Sequence, residues 1–154
     1  MMNKKVWVPV VIASSVIILL ICFVLCLIFF FLNNHVIVIN GNAMSPTLNN
    51  NDKKKYVDTK DIKRYDIVVY KGDTSSLVRR VYALPNETVE IKGGKIYVND
   101  KEIDRDNARG ELNGYAYYVL NNDEYFVMGD NLDSSLDSRQ LGPITKDQIK
   151  GKIK

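Results

Sequence analysis

The chain has 154 residues, of which 46% are apolar, and its 21 lysines and arginines against 18 acidic residues give a net charge of +3. One very apolar stretch near the start leaves room for one membrane segment and one small globular domain, and excludes a second domain. Without Lys4 and Lys5 the net charge is only +1, an excess too small to indicate nucleic acid as a partner.

The first predicted element is a membrane anchor. Residues 6–32 contain no charged side chain, and at ~1.5 Å per residue a helix of this length exceeds the ~30 Å hydrocarbon core of a bilayer. A cleaved secretory signal has a shorter apolar region followed by small residues, whereas this run ends in Phe31 and Leu32. A buried core helix is the alternative, but such helices are rarely apolar on every face. The run therefore predicts an uncleaved transmembrane signal anchor.

The charges that flank the anchor predict its orientation. Lys4 and Lys5 precede it, and no lysine or arginine follows it until Lys53. Because positively charged flanks stay on the cytoplasmic side, residues 1–5 are predicted to be cytoplasmic and residues 36–154 extracytoplasmic. The chain is thus expected to be a single-pass protein of the plasma membrane with an extracellular domain.

After the anchor the apolar pattern changes to short or alternating runs that end in turn residues, which is typical of β-strands. Four runs rich in β-branched and aromatic residues are predicted strands. They are Val36 to Asn40, Lys55 to Thr59, Ile67 to Lys71 and Leu77 to Leu84. The predicted fold class is mostly β, with a single N-terminal transmembrane helix before the β domain.

Two hairpins and a tail complete the predicted domain. Gly93-Gly94 separates two short apolar runs, and glycine accepts the positive φ angles of a tight two-residue turn. Tyr115 to Met128 alternates around Asn121-Asn122-Asp123 and predicts a second hairpin. The tail after Gly142-Pro143 is predicted to return as a helical turn or a short strand.

Four sequence blocks in this domain carry a resemblance to a known family. They are Gly41 to Leu48 (GNAMSPTL), Arg64 to Tyr70 (RYDIVVY), Val78 to Pro85 (VRRVYALP) and Gly129 to Arg139 (GDNLDSSLDSR). Their order and spacing resemble the type I signal peptidases of Gram-positive bacteria, with the patterns G-x-S-M-x-P-T-L, R-x-D-I-V, V-K-R-V-x-x-L-P and G-D-N-x-x-x-S-x-D-S-R. The resemblance covers nearly the whole chain and implies a signal-peptidase-like β domain.

The two positions that carry catalysis in this family are substituted. The family uses a serine hydroxyl as nucleophile and a desolvated, neutral lysine as general base. The first block places Ala43 at the serine position, and a methyl group is no nucleophile. The third block places Arg79 at the lysine position, and a guanidinium keeps its proton in any protein environment. The chain is therefore expected to be inactive as a peptidase, with Arg79 paired to an acid such as Asp137 or to a carboxylate of a partner.

The resemblance also implies roles for residues around the substituted pair. Gly41 corresponds to a glycine beside the oxyanion site. Ser135, Asp137 and Arg139 correspond to residues that support the dyad, with Asp137 and Arg139 expected to form a buried ion pair. The residues expected to line a groove for an extended peptide are Asn42, Met44 and Pro46.

Ser45 and His35 are the candidates to replace the missing chemistry, and neither fits that role. On an extended segment Ser45 would project to the same side as Ala43 but ~6–7 Å away, a displacement that catalysis does not tolerate. It is better explained as a turn residue before Pro46. His35 lies at the membrane exit, where an interfacial role fits better than catalysis. No metal-ligand spacing or phosphate-binding loop is present, so no cofactor is expected.

Two functions from different classes explain this combination. The first is a non-catalytic binding protein that holds extended segments of exported proteins at the membrane. Signal-peptidase-like proteins without the dyad occur as a group beside pilin and sortase genes and assist pilus assembly, which makes pilin and sortase candidate partners. The alternative is an active signal peptidase that uses an unrecognised nucleophile and base, and a decaying duplicate without a role is a third possibility.

Overall fold

The computed structural model describes residues 4–32, 35–59 and 61–154, so the first three residues of the predicted cytoplasmic segment lie outside the described residues. The chain divides into two compact units, residues 1–35 and 36–154. The first contains helix α1, Lys4–Leu32, which is long and apolar enough to cross a membrane. None of its Ile12–Phe29 segment is buried. The helix therefore fits the predicted membrane anchor.

The second unit is mostly β, as predicted. Its elements are β1 His35–Val38, β2 Lys53–Val57, β3 Ile67–Lys71, β4 Ser76–Ala83, β5 Thr88–Lys92, β6 Lys95–Val98, β7 Lys101–Glu102, β8 Ala116–Val119, β9 Glu124–Met128, a 3-10 helix Leu132–Ser134, the short helix α2 Ser138–Leu141, β10 Ile144–Thr145, a 3-10 helix Lys146–Gln148 and β11 Ile149–Ile153. The C-terminal tail thus contains both of the elements that the sequence left open, a helical turn and a strand.

The strands form two sheets. A seven-stranded sheet has the order β1-β2-β11-β3-β4-β9-β10, and a four-stranded sheet has the order β7-β6-β5-β8. Strand β4 lies inside the larger sheet, antiparallel to β3 on one side and to β9 on the other. This position matters because β4 carries Arg79 and the end of β9 carries the block that begins at Gly129.

The first predicted hairpin is confirmed and the second is wrong. Strands β5 and β6 pair antiparallel with Lys92 opposite Lys95, and both connecting glycines have positive φ, +56° and +76°. Strand β8 pairs with β5 rather than with β9. The chain changes sheets at this turn: the Leu120 N–H donates to the Glu87 carbonyl, which extends the smaller sheet, and β9 then joins β4 in the larger one.

Three apolar clusters hold the domain together. One joins the smaller sheet to the end of the larger one through Tyr82, Phe126 and Met128. Successive side chains of β3 point to opposite faces of the sheet, so this strand contributes to both of the other clusters. Val68 and Tyr70 belong to the second cluster. Val69 belongs to the third cluster, which also contains Ile39, Met44, Leu48 and Val78. This third cluster fixes the loop of the first sequence block against the larger sheet.

Candidate functional site

The loop that carries Ala43 is held by its neighbours on both sides. Met44 and Leu48 are buried, with 1% and 4% of their surface exposed, and pack in the third cluster. Gly41 has a φ of +84°, which favours glycine, and its N–H donates to Asn50 Oδ1 at 2.8 Å. Ala43 Cβ therefore projects from a loop that is fixed by core packing, while the Gly41 N–H already has an acceptor.

Ser45 lies in a turn of the same loop. Residues 43–47 form turns instead of an extended segment, so the extended geometry used to place Ser45 is wrong. Its Oγ donates to Asn49 Oδ1 at 3.2 Å, and its N–H donates to the Asn42 carbonyl. Ser45 is thus a turn residue before Pro46, and the structure gives it no lysine partner among the described residues.

Arg79 occupies the interior of the site. Only 7% of the residue is exposed, Nη1 donates to the Val78 carbonyl at 2.6 Å, and Nη2 donates to the Leu136 carbonyl at 2.9 Å. Burial lowers its pKa, partly opposed by the negative charge of Asp137, yet a guanidinium stays protonated. Within the described part of the chain Arg79 forms no ion pair with Asp137, and the expectation of that pair is wrong.

Asp137 is unavailable to Arg79 because other donors surround it. Arg139 Nε and Nη2 donate to its two carboxylate oxygens at 2.8 and 3.0 Å. Ser135 Oγ donates to Oδ2 at 2.6 Å, and so does the Gly129 N–H at 2.9 Å. The carboxylate is fully buried and also caps α2 through the Arg139 N–H. The predicted Asp137–Arg139 ion pair is present, and Ser135 belongs to the same network.

Gly129 brings this network into contact with the Ala43 loop. A Cβ at this position would lie 2.3 Å from Ser135 Oγ and 2.5 Å from the Ala43 carbonyl oxygen. The Asn131 N–H donates to the same carbonyl. The absence of a side chain at Gly129 therefore lets the Asp137 network pack directly against the backbone of Ala43.

Replacing Gly129 with alanine is expected to lower the free energy of unfolding by about 1–3 kcal/mol, because the new methyl group must displace a backbone carbonyl as well as the Ser135 side chain. Chemical denaturation of the 36–154 domain in the full-length protein measures the change. An unaltered denaturation midpoint would contradict the close packing at this point.

A second buried network was not predicted from the sequence. Arg80 Nε and Nη2 donate to the Asp130 carboxylate at 2.8 and 2.6 Å, and Thr47 Oγ1 donates to the same carboxylate. Burial is the largest influence on the pKa of Arg80 and lowers it, but the hydrogen bond to Asp130 and the negative charge of Asp130 act together in the opposite direction, and the pKa of Arg80 is raised. Because adjacent residues of a strand point to opposite faces, the Arg79-Arg80 pair was a signal that two different partners were needed.

Ala43 and Arg79 line one pocket of about 260 Å³. Its walls also include Gly41, Asn42, Ser134 and Leu136, together with residues of β1 and the start of β4. Met44 contributes to the lining although it is almost completely buried, and Pro46 is exposed and outside it. The structure thus brings together Asn42, Ala43, Met44 and Arg79, with the Asp137 network in contact with the Ala43 loop. Among the described residues no cluster of three or more histidine, cysteine or acidic side chains could hold a metal ion.

Comparison with known proteins agrees with this architecture. Residues 10–154 match the family model described as signal peptidase, peptidase S26. Signal peptidase I S of Bacillus subtilis is 37% identical, over 74% of this chain and 71% of that protein, and a signal peptidase I of Bacillus amyloliquefaciens is 35% identical, over 74% and 70%. The crystal structure of a signal peptidase I from Enterococcus faecalis shares the fold with a TM-score of 0.55 at 23% identity, over 62% of this chain and 98% of that one. The chain belongs to the signal peptidase family, peptidase S26.

Proposed function

We propose that this protein is a non-catalytic peptide-binding member of its family. Residues 6–32 anchor it as a single-pass protein in the plasma membrane, with residues 1–5 in the cytoplasm. Residues 36–154 form the extracellular domain that holds extended segments of exported proteins. One observation carries the proposal: the pocket and its supporting network are complete, while Ala43 and Arg79 stand at the two reactive positions.

The chemistry at the two positions supports binding rather than cleavage. Ala43 has no atom that can attack a carbonyl, and nucleophilic catalysis requires an activated hydroxyl, thiol, amine or carboxylate. Arg79 is protonated, and a guanidinium has no free electron pair with which to accept a proton. Its nitrogens instead donate hydrogen bonds to two carbonyls. Neither substituted residue replaces what the family uses.

The pocket is suited to an extended peptide. Its lining runs along the chain from Ile37 to Met44, which includes part of β1, the edge strand of the larger sheet. An edge strand offers main-chain groups to a ligand strand, and the neighbouring pockets receive alternate side chains. Leu136, which also lines the pocket and is 56% exposed, offers an apolar contact to such a side chain.

Binding can be tested with a fluorescently labelled peptide of a signal-peptide-bearing precursor and anisotropy as the readout. Replacing Ser134 with tryptophan fills the pocket from an exposed position, and we expect at least about 10-fold weaker binding because the peptide loses packing at the pocket. Asn113→Trp, at an exposed residue outside the pocket lining, is the matched control. Equal binding by both variants and the unaltered protein would place the peptide elsewhere and contradict the proposal.

Pilin and sortase are the proposed partners in the cell. The support is the resemblance to family members without the dyad that assist pilus assembly. Purified pilin is expected to be retained by the immobilised unaltered protein and not by the immobilised Ser134→Trp variant. Retention of signal-peptide precursors without retention of pilin would limit the function to exported proteins in general.

One contact favours the second candidate, an active signal peptidase. Ser76, which lines the pocket, lies with its Oγ 2.8 Å from Lys150 Nζ, a serine–lysine pair of the required residue types. Lys150 is exposed, however, whereas the general base of the family is a desolvated lysine. Cleavage by the unaltered protein that disappears in Ser76→Ala would establish this candidate in place of the first.

A further inference from the structure

Arg79 has an unused hydrogen-bond donor at the pocket. Of its three guanidinium nitrogens, Nη1 and Nη2 donate to the carbonyls of Val78 and Leu136. Nε is buried and has no hydrogen-bond partner within the described residues. Because buried donors in proteins are nearly always paired, the unpaired Nε shows that the described residues do not fully satisfy the guanidinium of Arg79, and Arg79 lines the pocket.

The charge of Arg79 is also uncompensated. Both protein acceptors are neutral carbonyl oxygens, and the nearby Asp137 is shared by Arg139, Ser135 and Gly129. A buried cation without a counterion is strongly unfavourable. By contrast, the neighbouring Arg80 on the same strand has its own carboxylate, Asp130. The pocket therefore contains a buried positive charge that lacks the anion its neighbour has.

The geometry of a guanidinium selects the anion. Its planar N–H groups match the two oxygens of a carboxylate, and such charge-assisted hydrogen bonds are roughly twice as strong as neutral ones. The side chain of Ala43, which lines the same pocket, is a methyl group and offers no hydrogen bond to the carboxylate oxygens of a ligand. A carboxylate is also the anion that peptides themselves carry, at the C-terminus or on an aspartate or glutamate side chain.

We propose that Arg79 binds a carboxylate of the peptide held in the pocket, so that the position of the lost general base has become an anion-recognition site. This inference rests on the proposed peptide-binding function and narrows its ligand to acidic or C-terminally free segments. The two sources of the carboxylate, the chain terminus and an acidic side chain, share the same chemistry and are separated by experiment.

The test uses four versions of one peptide with the full-length protein. The C-terminus is either a free carboxylate or an amide, and an internal position is either glutamate or glutamine. Anisotropy titrations are expected to give about 10- to 100-fold tighter binding for one carboxylate over its neutral counterpart, the range of a charged hydrogen-bonded contact. Tighter binding of the free C-terminus than of the amide would identify the chain terminus as the carboxylate that Arg79 binds. Tighter binding of the glutamate peptide than of the glutamine peptide would identify the acidic side chain.

Two variants separate a specific contact from general attraction to a basic protein. Arg79→Met is expected to abolish the preference for the charged peptides over their neutral counterparts. Lys101→Gln, which removes one positive charge from an exposed position of β7, is expected to keep it. If Arg79→Met fails to fold, Arg79→Gln, which keeps a hydrogen-bonding side chain at this buried position, is expected to lose the preference in the same way.

The outcomes distinguish this inference from the function on which it rests. Equal affinity for all four peptides would overturn carboxylate recognition and leave peptide binding standing. A preference that persists in Arg79→Met would assign it to another group and overturn the role of Arg79. Binding of none of the peptides would overturn both proposals.

Discussion

Replacing Asp137 with alanine is expected to reduce the free energy of unfolding by about 3–5 kcal/mol, the range for removing one partner of a buried ion pair. The substitution leaves the Arg139 guanidinium, whose side chain is 11% exposed, without its counterion. It also removes the acceptor of Ser135 Oγ and of the Gly129 N–H, as well as the cap of α2. Since domains of this size are stable by ~5–15 kcal/mol, the loss would be a large part of the total.

An exposed ion pair of the same length provides the matched control. Lys95 Nζ and Glu102 Oε2 are also 2.8 Å apart, but both side chains are at least half exposed. Glu102→Ala is therefore expected to leave the denaturation midpoint almost unchanged, because water screens and replaces this contact. Urea denaturation of both variants compares the two environments. Equal destabilisation would show that the Asp137 network does not depend on burial.

Replacing Ala43 with serine and Arg79 with lysine together is expected to create peptidase activity. The serine supplies a hydroxyl at a residue whose backbone carbonyl packs against Gly129, and the lysine enters a site in which the present residue is 7% exposed. The burial that lowers the pKa of Arg79 would act on lysine in the same direction and favour its neutral form. A positioned general base contributes about 100-fold or more, so cleavage should rise by at least that factor over either single variant.

The single variants are the controls for this gain. Ala43→Ser alone has a nucleophile without a base, and Arg79→Lys alone has a base without a nucleophile, so both are expected to remain inactive. Mass spectrometry of a precursor substrate reads the position and rate of cleavage. An inactive double variant, beside an active family member under the same conditions, would contradict the view that the supporting residues retain a catalytic arrangement.

Local sequence patterns predicted most of the strands but not how all of them pair. The bounds of the predicted strand Ile67–Lys71 coincide with those of β3, because β-branched residues and turn residues mark both of its ends. The partner of β8 depends on contacts between Leu120 and Glu87, 33 residues apart in sequence. The two-residue strands β7 and β10 are too short to produce an alternating pattern.

The sequence predicted most residues of the pocket and its network, although the predicted groove residue Pro46 lies outside the pocket, and it predicted fewer of their contacts. The sequence blocks identified Ala43, Arg79 and the Asp137–Arg139 pair because the family pattern fixes their positions. The contacts of Arg79 with backbone carbonyls were missed, since Leu136 is 57 positions away and no pattern in the sequence marks a carbonyl acceptor. The Arg80–Asp130 pair was missed for a similar reason, at a separation of 50 positions.

The most direct test of a peptide-binding protein without peptidase activity measures binding and cleavage in one sample. The unaltered full-length protein, solubilised in detergent, is incubated with a signal-peptide-bearing precursor, and mass spectrometry determines both the bound fraction and the intact mass of the precursor. A catalytically competent family member runs alongside to establish that the conditions permit cleavage. The account predicts a complex that contains the intact precursor, whereas release of the mature product by the unaltered protein would contradict it.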